Sequence, residues 1–460
     1  MVLGTNDVDA RARAHSAEEL AFLAAHVAGT APGAGAVSYD DLAAAPAVVL
    51  VALDPEEESP IVFLRLRRAV RKNGLQVFDV APFTTRAATK LQATVLPTVP
   101  GAEAAVLRAL AEEDTGAAAA LRRPGAVLLL GERLAEVPGG FSAAVALADA
   151  TGARLAWVPR RAGERGAVEA GALPTLLPGG RLVSDPAARA EVATRWGAPV
   201  PETPGRDTTG ILTAARDGAL GGLLVGGVDP ADLPDPRLAD QALAAAGFVV
   251  SLELFPTAVT AAADVVLPVA AAPEKAGAYL DWEGRVRPFD GTLHDTGRLT
   301  DARVLVGLAK RMGVELRLDT VLAARADLVA LGGAPRRPQP GGPDLHPTPP
   351  AARGTGEFLL ATWRQLLDGG TLTRDEPALA GTARAPRARL APAAAARLGL
   401  AEGDPVTVTG PAGSLTLPLE LADLPDGVVW LPLRSPGHDV RGQVGAGAGD
   451  VVGVTAGGTR

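Results

Sequence analysis

The 460-residue sequence contains no cysteine. That excludes disulfides, thiol nucleophiles, zinc–thiolate sites and cysteine-ligated iron–sulfur clusters. Histidine is scarce, and His15, His26, His294, His346 and His438 stand at spacings that suit no metal-binding pair. The only lysines are Lys72, Lys90, Lys275 and Lys310, with arginine supplying the other cations. The net charge is nevertheless −8, so the basic footprint of a nucleic-acid-binding protein is missing. Aromatic residues make up only 3% against 47% hydrophobic residues in all, which implies cores of Ala, Val and Leu. No apolar run reaches the roughly 18 residues a membrane-spanning helix needs. The opening MVLGTNDVDARAR has no apolar segment of the kind a secretory signal carries. A cytoplasmic protein, or one docked to a larger assembly, is expected.

What is present is a repeated grammar of apolar run, turn and Ala/Leu/Arg-rich helix. PAVVLVAL (46–53) is followed by the acidic turn DPEEESP (54–60) and by IVFLRLRRAVRK (61–72), which Asn73-Gly74 ends in the manner of a helix C-cap. LQVFDVAP (75–82) is a second strand. The pattern returns in AVLLLGE (126–132) to ARLAWVP (153–159), and in GGLLVGG (221–227) to FVVSLEL (248–254) and ADVVLPVA (263–270). Near-continuous Val/Leu strands suit parallel sheets covered on both faces, so the expected class is α/β with Rossmann-like, doubly wound sheets. Residues 331–350 hold seven prolines and four glycines and read as a linker. EFLLATWRQLLDGG (357–370) reads as a short amphipathic helix. The tail, with DPVTVTGPAGSLTLPLEL and LPDGVVWLPL, reads as a compact all-β domain. The expected divisions are 1–122, 123–330, 331–384 and 385–460.

Catalytic constellations are sparse. There is no Walker A loop, G-x-S-x-G elbow or H-E-x-x-H helix. The turns that follow strands are the places where α/β folds bind ligands. At 54–60, Asp54, Glu56, Glu57 and Glu58 would repel a pyrophosphate, and an ordinary turn is the alternative. At 226–230, Gly226, Gly227 and Asp229 could face a ligand or simply make a βα turn. DWEGRVRPF (281–289) places Glu283 and Arg285 within pairing distance around Gly284, which permits a sharp turn. That segment is either a packed, bracing loop or part of a binding groove.

Several strings in order resemble one family: the G subunit of bacterial NADH-quinone oxidoreductase (respiratory complex I) and, more broadly, the molybdopterin oxidoreductases. They are LGTNDVDAR (3–11), LDPEEESPIVFLRLRRA (53–69), DVAPFTTRAATKL with PTVPGAEAAVLRAL (79–110) and, above all, 225–289 with its ADVVLP strand and DWEGR turn. From 386 onward, LGLAEGDPVTVTG and LPLRSPGHDV resemble the molybdopterin-dinucleotide-binding β-barrel. The resemblance implies an oxidoreductase by membership in NADH:quinone oxidoreductase, with no catalytic residue and no metal ligand in this chain. It implies a structural, non-redox part of the peripheral arm, partnered by other peripheral-arm subunits and held at the cytoplasmic face of the plasma membrane through them. The alternative is a molybdopterin-dependent oxidoreductase fragment, in which Gly226, Gly227, Asp229, Glu283 and Arg285 are the pterin-binding candidates. The chain departs from that pattern: GVDP replaces Asn-Pro, and Asp281 stands where Asn is usual. These changes agree with a version of the scaffold that carries no molybdenum. The family's cysteine-rich N-terminal regions are also missing, so the chain is expected to be a C-terminal portion that carries no electrons itself.

Overall fold

The computed structural model describes residues 2–114, 116–333, 354 and 356–458. They form two compact units, interleaved along the chain. A sheet-and-barrel unit draws on Ala14–Glu19, Ala36–Arg160 and Gly342–Arg460. A hairpin unit draws on Met1–Arg13, Leu20–Gly35 and Arg161–Gly341.

The sheet-and-barrel unit opens with five parallel strands, β1 (Ala47–Val51), β2 (Gln76–Ala81), β3 (Thr94–Pro97), β4 (Val127–Gly131) and β5 (Arg154–Val158). Their spatial order, β3-β2-β1-β4-β5, is the doubly wound order. β1 and β4 are buried along their whole length, as their unbroken apolar runs require. Two helices leave β1: a single turn, α1 (Pro55–Glu58), then α2 (Pro60–Asn73). α2 forms because Pro60 sits in its first turn and Gly74 closes it at φ +69°, a left-handed conformation that glycine adopts without strain. It buries Val62, Phe63, Leu66 and Ala69 and turns its charged residues outward. α3 (Gly140–Thr151) links β4 to β5, and Glu18 caps it from outside by accepting the N–H groups of Gly139 (3.0 Å) and Ser142 (2.6 Å).

The hairpin unit contains α4 (Glu164–Glu169) and a three-stranded parallel sheet, β6 (Leu223–Gly226), β7 (Val249–Glu253) and β8 (Val265–Pro268), in that order. An antiparallel hairpin follows, β9 (Gly277–Leu280) and β10 (Val286–Phe289), with Tyr279 stacked on Phe289 at 5.2 Å. The DWEGR string is therefore the turn of a β-hairpin. The linker expected at 331–350 lies outside the described residues from 334 onward, while Leu331 still ends a helix, α5 (Val321–Leu331).

Residues 357–370 do not form the expected helix. Glu357–Trp363 is strand β11, buried from Phe358 to Trp363 and paired in parallel with β15 (Val428–Pro432). The run from Phe358 is almost wholly apolar, so it fits either periodicity, and its long-range partner decides for strand. The barrel accordingly starts upstream of the expected boundary at 385. It closes in the order β11-β15-β12-β14-β13-β16, where β12 is Ala388–Leu390, β13 Pro405–Gly410, β14 Gly413–Leu421 and β16 Val451–Ala456.

Phe83, from the loop after β2, enters the barrel's apolar cluster. It stacks on Trp363 at 5.5 Å and meets Trp430 edge-on at 6.0 Å. Arg389 lies 4.5 Å over Trp430, and Arg133, just past β4, lies 4.9 Å over Trp363. One aromatic cluster thus joins the barrel to the carboxyl edge of the five-stranded sheet.

Candidate functional site

In a doubly wound sheet the ligand crevice opens at the carboxyl ends of the strands, where the order reverses. Here that point lies between β1 and β4. Gly131 ends β4 so close to β1 that an added Cβ would lie 2.2 Å from the Ala52 carbonyl oxygen. Ala52 itself has φ +50°, a left-handed conformation that costs a non-glycine residue free energy. The two strand ends therefore approach backbone to backbone at this point.

Buried carboxylates gather beside these strand ends. Asp54 caps α1 by accepting the Glu56 N–H at 3.1 Å, and its own N–H donates to Glu58 at 2.6 Å. Arg133 donates two hydrogen bonds to Glu58, at 2.8 and 3.1 Å. Glu57 takes the Leu366 N–H at 2.9 Å and pairs with Arg384, so the acidic turn is tied to the segment after β11. Asp79, inside β2 and 3% exposed, completes the cluster. Burial pushes its carboxyl up to about 8, helped by the charge of Asp54 and opposed by Arg133. Asp54 is pushed up to about 7, first by burial and then by Glu58 and Glu57. An incoming phosphate would meet these carboxylates at the place where the fold would otherwise receive it.

The hairpin unit solves the same problem differently. Gly226 and Gly227 end β6, Gly227 at φ +65°, and Asp229 accepts the Ala231 N–H at 3.1 Å as the cap of a short helical turn. Glu253, at the end of β7, is buried, and burial raises its carboxyl. The backbone at Gly227, Leu254 and Val228 offsets this in part, yet Glu253 Oε1 has no hydrogen-bond partner among the described residues and the Gly227 N–H donates to the Leu252 carbonyl at 3.2 Å. A buried carboxylate thus stands at the strand end next to the Gly-rich turn.

Glu283 and Arg285 lie on the separate turn of the β9–β10 hairpin. Glu283 is 2% exposed, and Arg285 donates to it at 2.6 Å, the pairing expected from the sequence. Arg287 adds a 2.9 Å bond to Asp281. Gly284, at φ +85°, would place a Cβ 2.3 Å from the Thr30 carbonyl oxygen, so the turn lies flat against that backbone. The Thr30 and Val27 carbonyls also accept from buried Arg165, at 3.0 and 2.9 Å. The five sequence candidates therefore fall on two turns, one capped by Asp229 and the other closed by its own ion pair.

Sequence reasoning passed over Asp79, Arg133 and Glu253. A signal existed for the two acids, since each is a carboxylate inside an otherwise apolar strand, LQVFDVAP and FVVSLEL. No group of three or more His, Asp or Glu side chains able to hold a metal ion occurs among the described residues.

The Molybdopterin oxidoreductase family pattern matches residues 9–297, and the Molydopterin dinucleotide binding domain pattern matches residues 358–456, the span of the barrel. The NADH-quinone oxidoreductase G subunit of Mycobacterium bovis is 54% identical over 461 residues, covering 99% of this chain and 56% of that protein. Its Streptomyces coelicolor counterpart is 53% identical over 477 residues, covering 98% and 56%. The chain thus spans about half the length, 56%, of these curated relatives. Among solved structures, acetylene hydratase from Pelobacter acetylenicus shares the fold with a TM-score of 0.55 at 14% identity, covering 90% of this chain and 73% of that one. The matched patterns imply a molybdopterin dinucleotide. The residues at the two sheet edges do not suit its phosphates, since the acidic side chains of Asp54, Glu57, Glu58 and Glu253 are buried at those strand ends. By sequence pattern and by fold, the chain belongs to the molybdopterin oxidoreductase family.

Proposed function

We propose that the chain is a structural, non-redox part of the peripheral arm of NADH-quinone oxidoreductase, the counterpart of the G subunits it resembles. In this reading other subunits carry electrons from NADH to quinone, and this scaffold supports them. It associates with the membrane through those subunits; among the described residues no helix is long and apolar enough to cross one. The likeness to that relative over 99% of the chain supports the assignment. The non-redox part is supported by one observation: buried acidic side chains, Glu57 and Glu58 after β1 and Glu253 at the end of β7, stand at the strand ends where α/β folds bind ligands. The molybdopterin-dependent alternative requires a cofactor's phosphates to displace Glu253 and the Asp54 cluster.

Glu253→Gln in the full-length protein, expressed in its own host, tests whether this carboxylate takes part in turnover. NADH-quinone turnover per assembled complex is expected to stay within about twofold of the parent, because no reacting group has been altered. A tenfold or larger fall at unchanged complex content would contradict the proposal.

A further inference from the structure

The outward face of α2 carries charge that no other described residue answers. Arg65, Arg67, Arg68, Arg71 and Lys72 fall within eight residues, and Pro60–Asn73 holds no acid. Arg65 lies over the Tyr39 ring at 5.3 Å. None of the five takes part in an ion pair among the described residues, although the chain carries 52 acids against 44 bases. The Nε of Arg67 is buried without a hydrogen-bond partner. Leu64, Arg67, Arg68, Arg71 and Lys72 line an open depression of about 380 Å³. Beside these cations stand two large apolar side chains, Ile61 at 56% and Leu64 at 53% exposed. Helical spacing puts Ile61, Leu64, Arg68 and Arg71 on one stripe, with Lys72 adjoining.

The combination selects among possible occupants. A free anion would satisfy the cations and leave Ile61 and Leu64 in water. A membrane needs a broad apolar face, but Val62, Phe63, Leu66 and Ala69 are buried in the protein's own core. A nucleic acid would be opposed by the net charge of −8. We propose that this stripe docks an acidic segment of a partner protein, one that sets an apolar side chain against Ile61 and Leu64. The carboxylates of the segment then lie along Arg68, Arg71 and Lys72, with Arg67 reaching the floor of the depression. This gives charge complementarity around an apolar contact, the ordinary make-up of a specific interface. The inference does not depend on which assembly the chain serves.

The test places a photo-crosslinking benzoylphenylalanine at Ile61 in the full-length protein, in its own host, and identifies the adduct by mass spectrometry. The expected adduct is a peptide rich in Asp and Glu. Its yield should fall at least about tenfold in the Arg68→Glu, Arg71→Glu, Lys72→Glu variant, and return when the acids of that peptide are changed to Lys. These three side chains are exposed and have no ion-pair partner among the described residues, so the variant should keep the parent's circular dichroism and melting temperature, which guards against misfolding. No adduct, an adduct with phospholipid, nucleic acid or a non-acidic peptide, or a yield indifferent to charge reversal would overturn the proposal.

Discussion

Asp79→Asn is expected to remove much of the pH dependence of stability of the sheet-and-barrel unit. In the folded chain the Asp79 carboxyl holds its proton up to about pH 8, because ionising it would leave a charge buried beside Asp54. In the unfolded chain the same group ionises near pH 4. Between these values the folded state binds more protons, so this group's contribution to stability is greatest below about pH 4 and is lost as pH rises through 8. The ceiling is about 1.4 kcal/mol per pH unit for one such group. Asp54, held at about 7, adds a coupled loss over much of the same window. An asparagine side chain at this position has no proton to release. Urea unfolding at pH 5.5 and pH 8.5 should show the parent losing stability markedly more than the variant, which becomes the more stable of the two at the higher pH. Equal losses in both would mean that Asp79 is ionised in the folded protein.

The second large effect is expected from Trp430→Ala. Trp430 is 2% exposed, touches Trp363 at 5.3 Å and Phe83 at 6.0 Å, and lies under the Arg389 guanidinium. Removing a ring of this size from a closed core costs about 3–5 kcal/mol, from lost burial and from the cavity left behind. The loss falls on the cluster that joins the barrel to the sheet edge, so the Phe83 loop and the segment after β11 should become protease-sensitive together. Trp430→Phe, which keeps a ring for Phe83 and Arg389, should recover a substantial part of the urea midpoint. A Trp430→Ala variant with the parent's midpoint would show that the cluster does not hold the barrel to the sheet.

Much of the architecture can be read from local chemistry. The runs at 46–53, 75–82, 126–132 and 248–254 are strands because unbroken Val/Leu sequence suits a sheet covered on both faces, and Gly74 ends α2 because its φ is positive. Residues 357–363 are misread for the opposite reason. Their apolar run has no period of its own and becomes a strand only through Val428–Pro432, far along the chain. The interleaving of the units is equally non-local: Ala14–Glu19 joins the sheet-and-barrel unit, where Glu18 caps α3. At the site, the pairing of Glu283 with Arg285 is legible because the two residues are neighbours in sequence. That Glu253 comes to lie beside the Gly226-Gly227 turn is not legible, because the pairing of adjacent strands β6 and β7 brings them together.

The proposed non-redox role carries one central claim, that acidic side chains take the place of a cofactor in this scaffold. The most direct measurement is the molybdenum, tungsten and pterin content of the chain purified from a host that synthesises molybdopterin. The expected result is only trace metal and no pterin. A stoichiometric pterin, with or without its metal, would contradict that claim.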